Sequence, residues 1–159
     1  MKFTDVLKLT ASIFLCQFAG FVGSMFTTPA IPTWYASLKK PFFNPPNWIF
    51  GPVWVSLYLL MGISLFVVWQ KRDPNAQARR GLILFFAQLI LNTLWSVTFF
   101  GLQSPFLGLV NILLLWVAIF FTLQQFKKIS KIAAVLLLPY IVWVSFAVIL
   151  NFSFWILNG

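Results

Sequence analysis

Aromatic and amide side chains recur three or four residues apart in three apolar stretches of the sequence. Residues at this spacing share one face of an α-helix. An indole or phenol on such a face can stack on a flat ligand and donate a hydrogen bond, and an amide can both donate and accept. The three sets are Asn92, Trp95 and Phe99; Trp143, Ala147 and Asn151; and Trp54 with Tyr58. Asn111 adds a similar amide in a fourth apolar stretch.

These mixed faces have two interpretations. Amides and indoles can join neighbouring helices by hydrogen bonds, which are typically worth about 1 kcal/mol or less in a membrane. They can instead line a ligand pocket, because such pockets are mostly apolar with a few polar groups. The spacing by itself favours the two interpretations about equally.

Several kinds of chemistry are excluded by the residues that the sequence lacks. It has no histidine, and its only acidic residues, Asp5 and Asp73, lie outside the apolar stretches. A carboxylate pair for acid–base catalysis, a nucleophilic triad and a metal site are therefore absent, and no cofactor is required. Ionisable residues inside a membrane usually mark proton or ion pathways, so their absence argues against a pump or a proton-coupled carrier.

The composition predicts an all-α integral membrane protein. Hydrophobic residues make up 61% of the 159 residues and charged residues only 8%, whereas soluble domains carry roughly a quarter charged residues. A membrane-spanning helix needs about 20 apolar residues, and the long uncharged runs do not alternate as barrel strands would. We predict a single transmembrane domain, residues 1–159, built as a five-helix bundle. The predicted helices are about Leu9–Thr28, Asn47–Gln70, Arg80–Gly101, Pro105–Phe126 and Ile132–Leu157.

Three local signals refine this prediction. The turn-like run Gly101–Pro105 divides a stretch that is too long for one span. Pro139 should kink the fifth helix, because it has no amide hydrogen to donate. Small residues in the first helix, such as Gly20 and Gly23, would allow close packing within or between subunits.

The first apolar run is longer than the apolar region of a signal peptide, which favours a membrane span over a cleaved leader.

The basic residues predict the orientation in the membrane. With five spans, Lys39 and Lys40 stand alone on one side. The other side holds Lys2, Lys8, Lys71, Arg72, Arg79, Arg80, Lys127, Lys128 and Lys131. The positive-inside rule then places the N-terminus in the cytoplasm. We assign the net charge of +9 to contacts with anionic lipid headgroups rather than to nucleic acid.

The connection 29–46 is rich in proline and aromatic residues, and we predict that it forms a lid. Prolines fix a loop that cannot continue a helix. The next helix should begin near Asn47, a favourable N-cap type. Trp48 is predicted to anchor that helix at the membrane interface.

Four ordered motifs carry a family resemblance that covers essentially the whole chain. They read "WYASLKKPFFNPPNWIFGPVWVSLYLLMG", "QLILNTLWSVTFFG", "SPFLGLVNILLLW" and "LLPYIVWVSFAVILN". The sequence resembles the translocator protein family, also called the tryptophan-rich sensory proteins. The resemblance implies a five-helix bundle, often a homodimer, that binds porphyrins such as haem and its precursors. It also implies binding of other hydrophobic molecules, and we expect a bacterial or archaeal cell membrane.

The resemblance also assigns roles to individual residues. Trp34 and Tyr35 would belong to the lid. Trp54 and Trp143 match tryptophans implicated in light- and oxygen-dependent porphyrin breakdown, and are the candidate catalytic residues. The pocket lining implied on the third and fifth helices is Asn92, Trp95, Phe99, Phe146, Ala147 and Asn151. Together with Tyr58 and Asn111, these residues are the predicted ligand-binding set.

The expected function is that of a membrane receptor or sensory protein for porphyrins. Because the chain has no histidine, tetrapyrrole binding would depend on stacking and amides. Lys39 or Lys40 would pair with propionates or with lipid headgroups. The alternative function is transport of tetrapyrroles or lipids across the membrane.

Overall fold

The uncharged stretches fold as helices because a bilayer offers no water to their backbone, so each amide must bond within its own segment. The structure is a computed structural model that describes residues 2–71 and 76–159, without the side chains of residues 76 and 77. Its elements are α1 (Phe3–Ala30), α2 (Trp34–Ser37), α3 (Asn47–Gln70), α4 (Ala76–Ser96), a π-helix (Val97–Gly101), α5 (Pro105–Ile129), α6 (Lys131–Leu136) and α7 (Leu138–Asn158).

Five helical segments are long and apolar enough to cross a membrane. They are Phe3–Ala30, Asn47–Gln70, Ala78–Gly101, Pro105–Ile129 and Lys131–Asn158. The third combines most of α4 with the π-helix, and the fifth combines α6 with α7. Within the described ranges every regular element is helical. The predicted five-helix bundle is therefore confirmed.

Several predicted helix ends are wrong. The first helix begins at Phe3 instead of Leu9, and the fourth span ends at Ile129 instead of Phe126. The predicted ends followed the limits of the uncharged runs, but a helix continues into the headgroup region, where charged side chains are solvated. The backbone amide of Lys2 donates to the Asp5 carboxylate over 3.1 Å, which satisfies one amide at the start of α1.

The predicted lid is not entirely a loop. The first helix continues through Pro29 to Ala30, and residues Trp34–Ser37 form the short helix α2. Pro29 lies in the last turn of α1, where its missing amide costs a single backbone hydrogen bond. The helix after the lid begins at Asn47 as predicted, but Pro46 occupies the cap position.

The predicted turn between the third and fourth spans is present. After the π-helix, Gln103 adopts a left-handed conformation with φ of 52°. The Ser104 hydroxyl then accepts a hydrogen bond from the Leu107 amide, 3.2 Å away, and caps α5. Pro105 is the first residue of α5, a position that suits proline because no amide is needed there.

The predicted kink in the fifth span is present as a one-residue interruption between α6 and α7. Leu137 separates the two helices, and Pro139 lies in the first turn of α7. Because Pro139 has no amide hydrogen, the carbonyl of Val135 loses its helical partner. The backbone at Leu137 turns tightly instead, with its amide bonded to the Ala134 carbonyl at 3.0 Å.

The helices α1 and α3 pack closely at the end of the bundle that lies away from the lid. A Cβ atom added at Gly62 would lie 2.6 Å from the Ile13 Cα, so only glycine permits this approach. Nearer the lid, a Cβ atom at Gly23 would lie 3.0 Å from the Ser96 hydroxyl. The small residues of α1 therefore serve packing within the subunit.

Charge separates the two ends of the bundle. Of the charged residues that the structure describes, only Lys39 and Lys40 lie at the lid end. The other lysines and arginines lie before α1, in its first two turns, or beside the connections after α3 and α5. The distribution agrees with the charge asymmetry in the sequence, and the cytoplasmic location of the N-terminus stays a prediction of the positive-inside rule.

The close approach of α1 and α3 can be tested with two matched glycine substitutions. We expect Gly62→Ala to destabilise the folded protein by about 1–3 kcal/mol, since the added methyl group overlaps the α1 backbone. Gly51→Ala on the same helix is the control, because a Cβ atom there meets nothing within 4 Å. Thermal unfolding in detergent, followed by circular dichroism, measures both. Equal melting temperatures for the two variants would contradict the proposed packing.

Candidate ligand-binding cavity

A cavity of about 550 Å³ lies in the lid half of the bundle. Its walls come from α1, α3, α4, the π-helix and α7, and α2 covers it. The volume falls in the range of about 300–1,000 Å³ that is common for small-molecule sites. On the side away from the lid, the cavity reaches no further than Gln17, Tyr58, Asn92 and Trp143.

Most of the residues predicted to bind a ligand line this cavity. They are Tyr35, Trp54, Tyr58, Asn92, Trp95, Phe99, Trp143, Ala147 and Asn151. They come from four helical segments that are far apart in the sequence, so the bundle brings the three predicted faces and the lid together. That these residues contact a ligand stays a prediction.

Two other predicted residues stand behind the lining. Trp34 packs edge-on against Phe99, with ring centroids 5.4 Å apart. Phe146 lies between Phe43 and Trp143, at centroid distances of 6.3 Å and 5.5 Å. Both side chains therefore support lining residues from outside the cavity.

Asn111 does not line the cavity. Its amide nitrogen donates to the carbonyl oxygen of Leu91 over 2.8 Å. This bond joins α5 to α4. Of the two interpretations that the sequence allowed for such amides, Asn111 therefore fits interhelical hydrogen bonding and not pocket lining.

The floor of the cavity is a chain of buried hydrogen bonds. The Tyr58 hydroxyl donates to the Asn92 side-chain oxygen at 2.6 Å, and the Asn92 amide donates to the Tyr140 hydroxyl at 2.6 Å. Tyr140 in turn donates to the Gln88 side-chain oxygen at 2.8 Å. All four side chains are buried. Because every step pairs one donor with one acceptor, the chain joins α3, α4 and α7 at little cost in unpaired polar groups.

A second polar contact holds one wall of the cavity. The Trp95 indole donates to the Asn151 side-chain oxygen at 2.9 Å, and the Asn151 amide donates to the Pro105 carbonyl at 2.7 Å. Trp95 also stacks on Phe99 with centroids 5.4 Å apart. Asn92 and Asn151 thus join helices and line the cavity at once, so the two interpretations of these faces are compatible.

Two indoles in the cavity differ from Trp95. Among residues 2–71 and 76–159, no group accepts a hydrogen bond from the indole N–H of Trp54 or Trp143. Each ring packs edge-on against another ring, Trp54 against Tyr140 at 6.4 Å and Trp143 against Phe50 at 6.1 Å between centroids. Both N–H groups are therefore available to a ligand in a region where unpaired polar groups are costly.

The lid is held by polar contacts at two points. Within the lid, the Tyr35 hydroxyl donates to the Asn44 side-chain oxygen at 2.9 Å, and the Lys40 ammonium stands 5.0 Å from the centre of the Tyr35 ring. Burial raises the pKa of the Tyr35 hydroxyl, which therefore stays protonated at neutral pH and remains a donor.

The second point joins the lid to the end of α7. The Lys39 amide donates to the Asn158 side-chain oxygen at 2.9 Å, and the Asn158 amide donates back to the Lys39 carbonyl at 3.1 Å. These two reciprocal bonds tie the lid to a helix that is distant in the sequence.

The sequence interpretation missed the contribution of α1 and of the first turns of α3. The lining residues it did not identify are Gln17, Gly20, Phe21, Ser24, Thr27, Thr28, Ile31, Asn47, Trp48, Phe50, Gly51, Val55, Ser96, Phe100, Leu150 and Phe154. A usable signal was present, because Gln17, Gly20, Ser24 and Thr27 recur at intervals of three and four in an apolar helix. Trp48, predicted as an interfacial anchor, also borders the cavity.

The lining limits the chemistry of the cavity. In the described part of the chain, no lining side chain carries a charge or a thiol. The available interactions are stacking on indole and phenyl rings and hydrogen bonds to indole, phenol, hydroxyl and amide groups. Such a lining suits a large, flat and mostly apolar molecule.

Comparisons with known proteins agree with the motifs. A family model described as the TspO/MBR family matches residues 12–156. The tryptophan-rich protein TspO of Archaeoglobus fulgidus is 49% identical over 155 residues, which cover 98% of this chain and 99% of that protein. The translocator protein of Homo sapiens is 39% identical over 136 residues, covering 85% of this chain and 80% of that protein. The tryptophan-rich sensory protein of Cereibacter sphaeroides is 36% identical over 155 residues, covering 96% and 95%.

The hydrogen-bonded floor predicts a specific pattern of stabilities. We expect Asn92→Leu to lower the free energy of unfolding by about 1–3 kcal/mol, because it leaves the buried Tyr58 hydroxyl without an acceptor. The double variant Asn92→Leu with Tyr58→Phe should regain part of that loss, since the unpaired hydroxyl is then removed as well. Unfolding in detergent titrated with sodium dodecyl sulfate measures the three proteins. If the double variant were less stable than Asn92→Leu, the hydroxyl would not be the source of the loss.

Proposed function

The chain belongs to the TspO/MBR family, and from this premise we propose that it is a membrane receptor whose lid-side cavity binds porphyrins such as haem or protoporphyrin IX. Family membership and the five apolar spans together support an integral membrane protein with a sensory or binding role. The porphyrin ligand is the further step in this proposal.

The unpaired indoles of Trp54 and Trp143 carry the proposal. Both side chains line the cavity, and each offers a ring face together with a free N–H group. A porphyrin has two broad aromatic faces and nitrogen and carboxylate acceptors, so it can use both features. A ligand without acceptors, such as a plain hydrocarbon, would leave the two N–H groups unpaired in the membrane.

The lid end offers a place for the charged edge of a porphyrin. Tyr35 lines the cavity, and the Lys40 ammonium stands over its ring. With the macrocycle among the indoles, the propionates would point towards Lys39 and Lys40, where charge-assisted hydrogen bonds are possible. This orientation places carboxylates at the membrane surface and keeps the ring in the apolar interior.

Light-dependent breakdown of the bound porphyrin is part of the proposal. Because no described lining residue is a histidine, a cysteine or a carboxylate, the excited porphyrin and dissolved oxygen would have to supply the reactivity. Trp54 and Trp143 would hold the macrocycle in place and lie next to the reacting ring. A loss of the porphyrin absorption band in light and oxygen, but not in the dark or without oxygen, would support this step.

Transport across the membrane is the alternative function. The floor beneath the cavity, in which Tyr140 and Gln88 are buried, favours a receptor. A carrier must expose its site to both sides in turn, which would require the chain of hydrogen bonds through Asn92 to break. Porphyrin flux into proteoliposomes that depends on the protein would revive the transport hypothesis.

The two indoles give a direct test of the proposed site. We expect Trp54→Phe and Trp143→Phe each to weaken protoporphyrin IX binding by about two- to tenfold, the loss of one net hydrogen bond. Titration in nanodiscs, followed by the porphyrin absorption band, avoids any reliance on tryptophan fluorescence.

Trp116→Phe is the matched control. Trp116 lies outside the cavity lining, and its indole already donates to the Ser145 hydroxyl at 2.8 Å. We expect its affinity for protoporphyrin IX to stay at the wild-type value. Unchanged affinity in both cavity variants, or an equal loss in Trp116→Phe, would show that the site assignment is wrong.

A further inference from the structure

The exposed part of the cavity lining is confined to two helices. Every lining residue on α4, the π-helix, α7 and the lid is buried or half-buried. The exposed lining residues include Phe21, Ser24 and Thr28 on α1 and Trp48, Gly51 and Val55 on α3. Phe21 is 61% exposed and Val55 is 57% exposed. The cavity therefore reaches the protein surface along the seam between α1 and α3.

The lower border of this opening is closed by direct contacts. The Gln17 amide donates to the Val55 carbonyl at 2.9 Å, which bridges the two helices. One turn nearer the lid on α1, Gly20 lies against the Tyr58 ring so closely that an added Cβ atom would overlap it. Below these contacts the backbones of α1 and α3 pack directly against each other at Ile13 and Gly62.

Above that border the lining residues of α1 and α3 are exposed. A Cβ atom added at Gly51 meets nothing within 4 Å, although Gly51 lies on the same helix as the tightly packed Gly62. Gly51 also lines the cavity. The absence of a side chain at this position therefore leaves the opening wide at its centre.

The depth of the opening follows from its position along α3, if the helix start lies at the membrane interface as Trp48 predicts. Val55 lies eight residues after the start of α3 at Asn47, or about 12 Å along the helix axis. Half of a bilayer's hydrocarbon core measures about 15 Å. The seam between Val55 and the helix start is thus at the depth of the acyl chains in the lid-side leaflet.

The route from water is covered by the lid. Tyr35 is only 4% exposed, and the chain on either side of it is held by Trp34 against Phe99 and by Lys39 against Asn158. A ligand arriving from water would have to break these contacts, whereas a ligand dissolved in the membrane would not.

We propose that the cavity is loaded sideways from the lid-side leaflet, through the opening between α1 and α3, and that Gly51 sets the width of this opening. The inference rests on the proposed function, since it describes how that ligand reaches its site. It narrows the ligand class to flat molecules that first dissolve in the membrane. The same opening is the exit, so a blockage slows entry and release together.

Gly51→Trp is the variant that tests the opening, because its side chain enters space that is empty in the wild type. Leu59→Trp is the matched control, because Leu59 lies on the same helix, is exposed and does not line the cavity. Protoporphyrin IX exchanged from lipid vesicles into nanodiscs is followed by stopped-flow fluorescence. We expect the association rate and the dissociation rate both to fall about tenfold or more in Gly51→Trp. Association rates among variants of one binding site vary over roughly one to three powers of ten, so a change of this size is measurable. Leu59→Trp should keep the wild-type rates.

The two rates separate a blocked opening from a damaged site. A damaged site would raise the dissociation rate and leave association nearly unchanged. Wild-type rates in Gly51→Trp would overturn the inference. The proposed function would be unaffected, because equilibrium binding of porphyrin would remain. A wild-type protein that takes up no porphyrin at equilibrium would instead overturn the proposed function.

Locking the lid tests the competing route. Lys39 and Asn158 already exchange two hydrogen bonds, so we expect Lys39→Cys and Asn158→Cys to form a disulfide on oxidation, and the loss of both free thiols verifies that it has formed. We expect the oxidised protein to load porphyrin at the rate of the reduced protein. Loading that stops on oxidation and returns on reduction would show that the lid is the entrance, and would overturn the inference.

A measurement without ligand completes the test. A spin label on Gly51→Cys, in a Cys16→Ala background, reports whether oxygen dissolved in the membrane or a water-soluble nickel chelate collides with it. We expect access for oxygen and little access for the chelate. The reverse result would place the opening in water and contradict the inference whether or not a porphyrin binds.

Discussion

Asn92 joins three membrane-spanning helices at one depth, and the position of the cavity follows from that contact. Its side chain is bonded to Tyr58 on α3 and to Tyr140 on α7, each at 2.6 Å. The hydrocarbon of the bilayer contains no water that could replace these hydrogen bonds, so separating the helices at this level leaves polar groups unpaired. Below this level the bundle is packed with buried side chains, and above it the helices are free to diverge around a space.

The separation between floor and cavity explains why the same residue types serve two purposes. Asn92 and Asn151 are bonded across helices, while Trp54 and Trp143 keep free N–H groups at the cavity. Amides have several donors and acceptors and can join two helices at once. An indole has a single donor, which is either used within the protein, as in Trp95, or left for another molecule.

The bundle and much of the cavity could be predicted from the sequence because both depend on local rules. Uncharged runs long enough to span a membrane gave five helices, and the spacing of Asn92, Trp95 and Phe99 placed three lining residues on one face. The spacing of Gln17, Gly20 and Ser24 marks a face of α1, but it does not show that this face borders the cavity. That depends on where α1 and α3 diverge, which is set by contacts between Gly62 and Ile13 and between Gln17 and Val55 that are far apart in the chain. Asn111 shows the converse, since it is an amide in an apolar helix like the lining amides, but its partner is the backbone carbonyl of Leu91.

The break between α6 and α7 has a mechanical consequence. A single residue, Ser130, connects α5 to α6, and its hydroxyl accepts from the Ala133 amide, so this end of the two spans is fixed. At Leu137 the helical hydrogen bonding is interrupted, and the least costly deformation of the span is a tilt of α7 about this point. Such a tilt would displace Asn151 more than Trp143, because Asn151 lies further from Leu137 along α7. The break therefore gives the α7 wall of the cavity a point about which it can bend without disturbing the connection between α5 and α6.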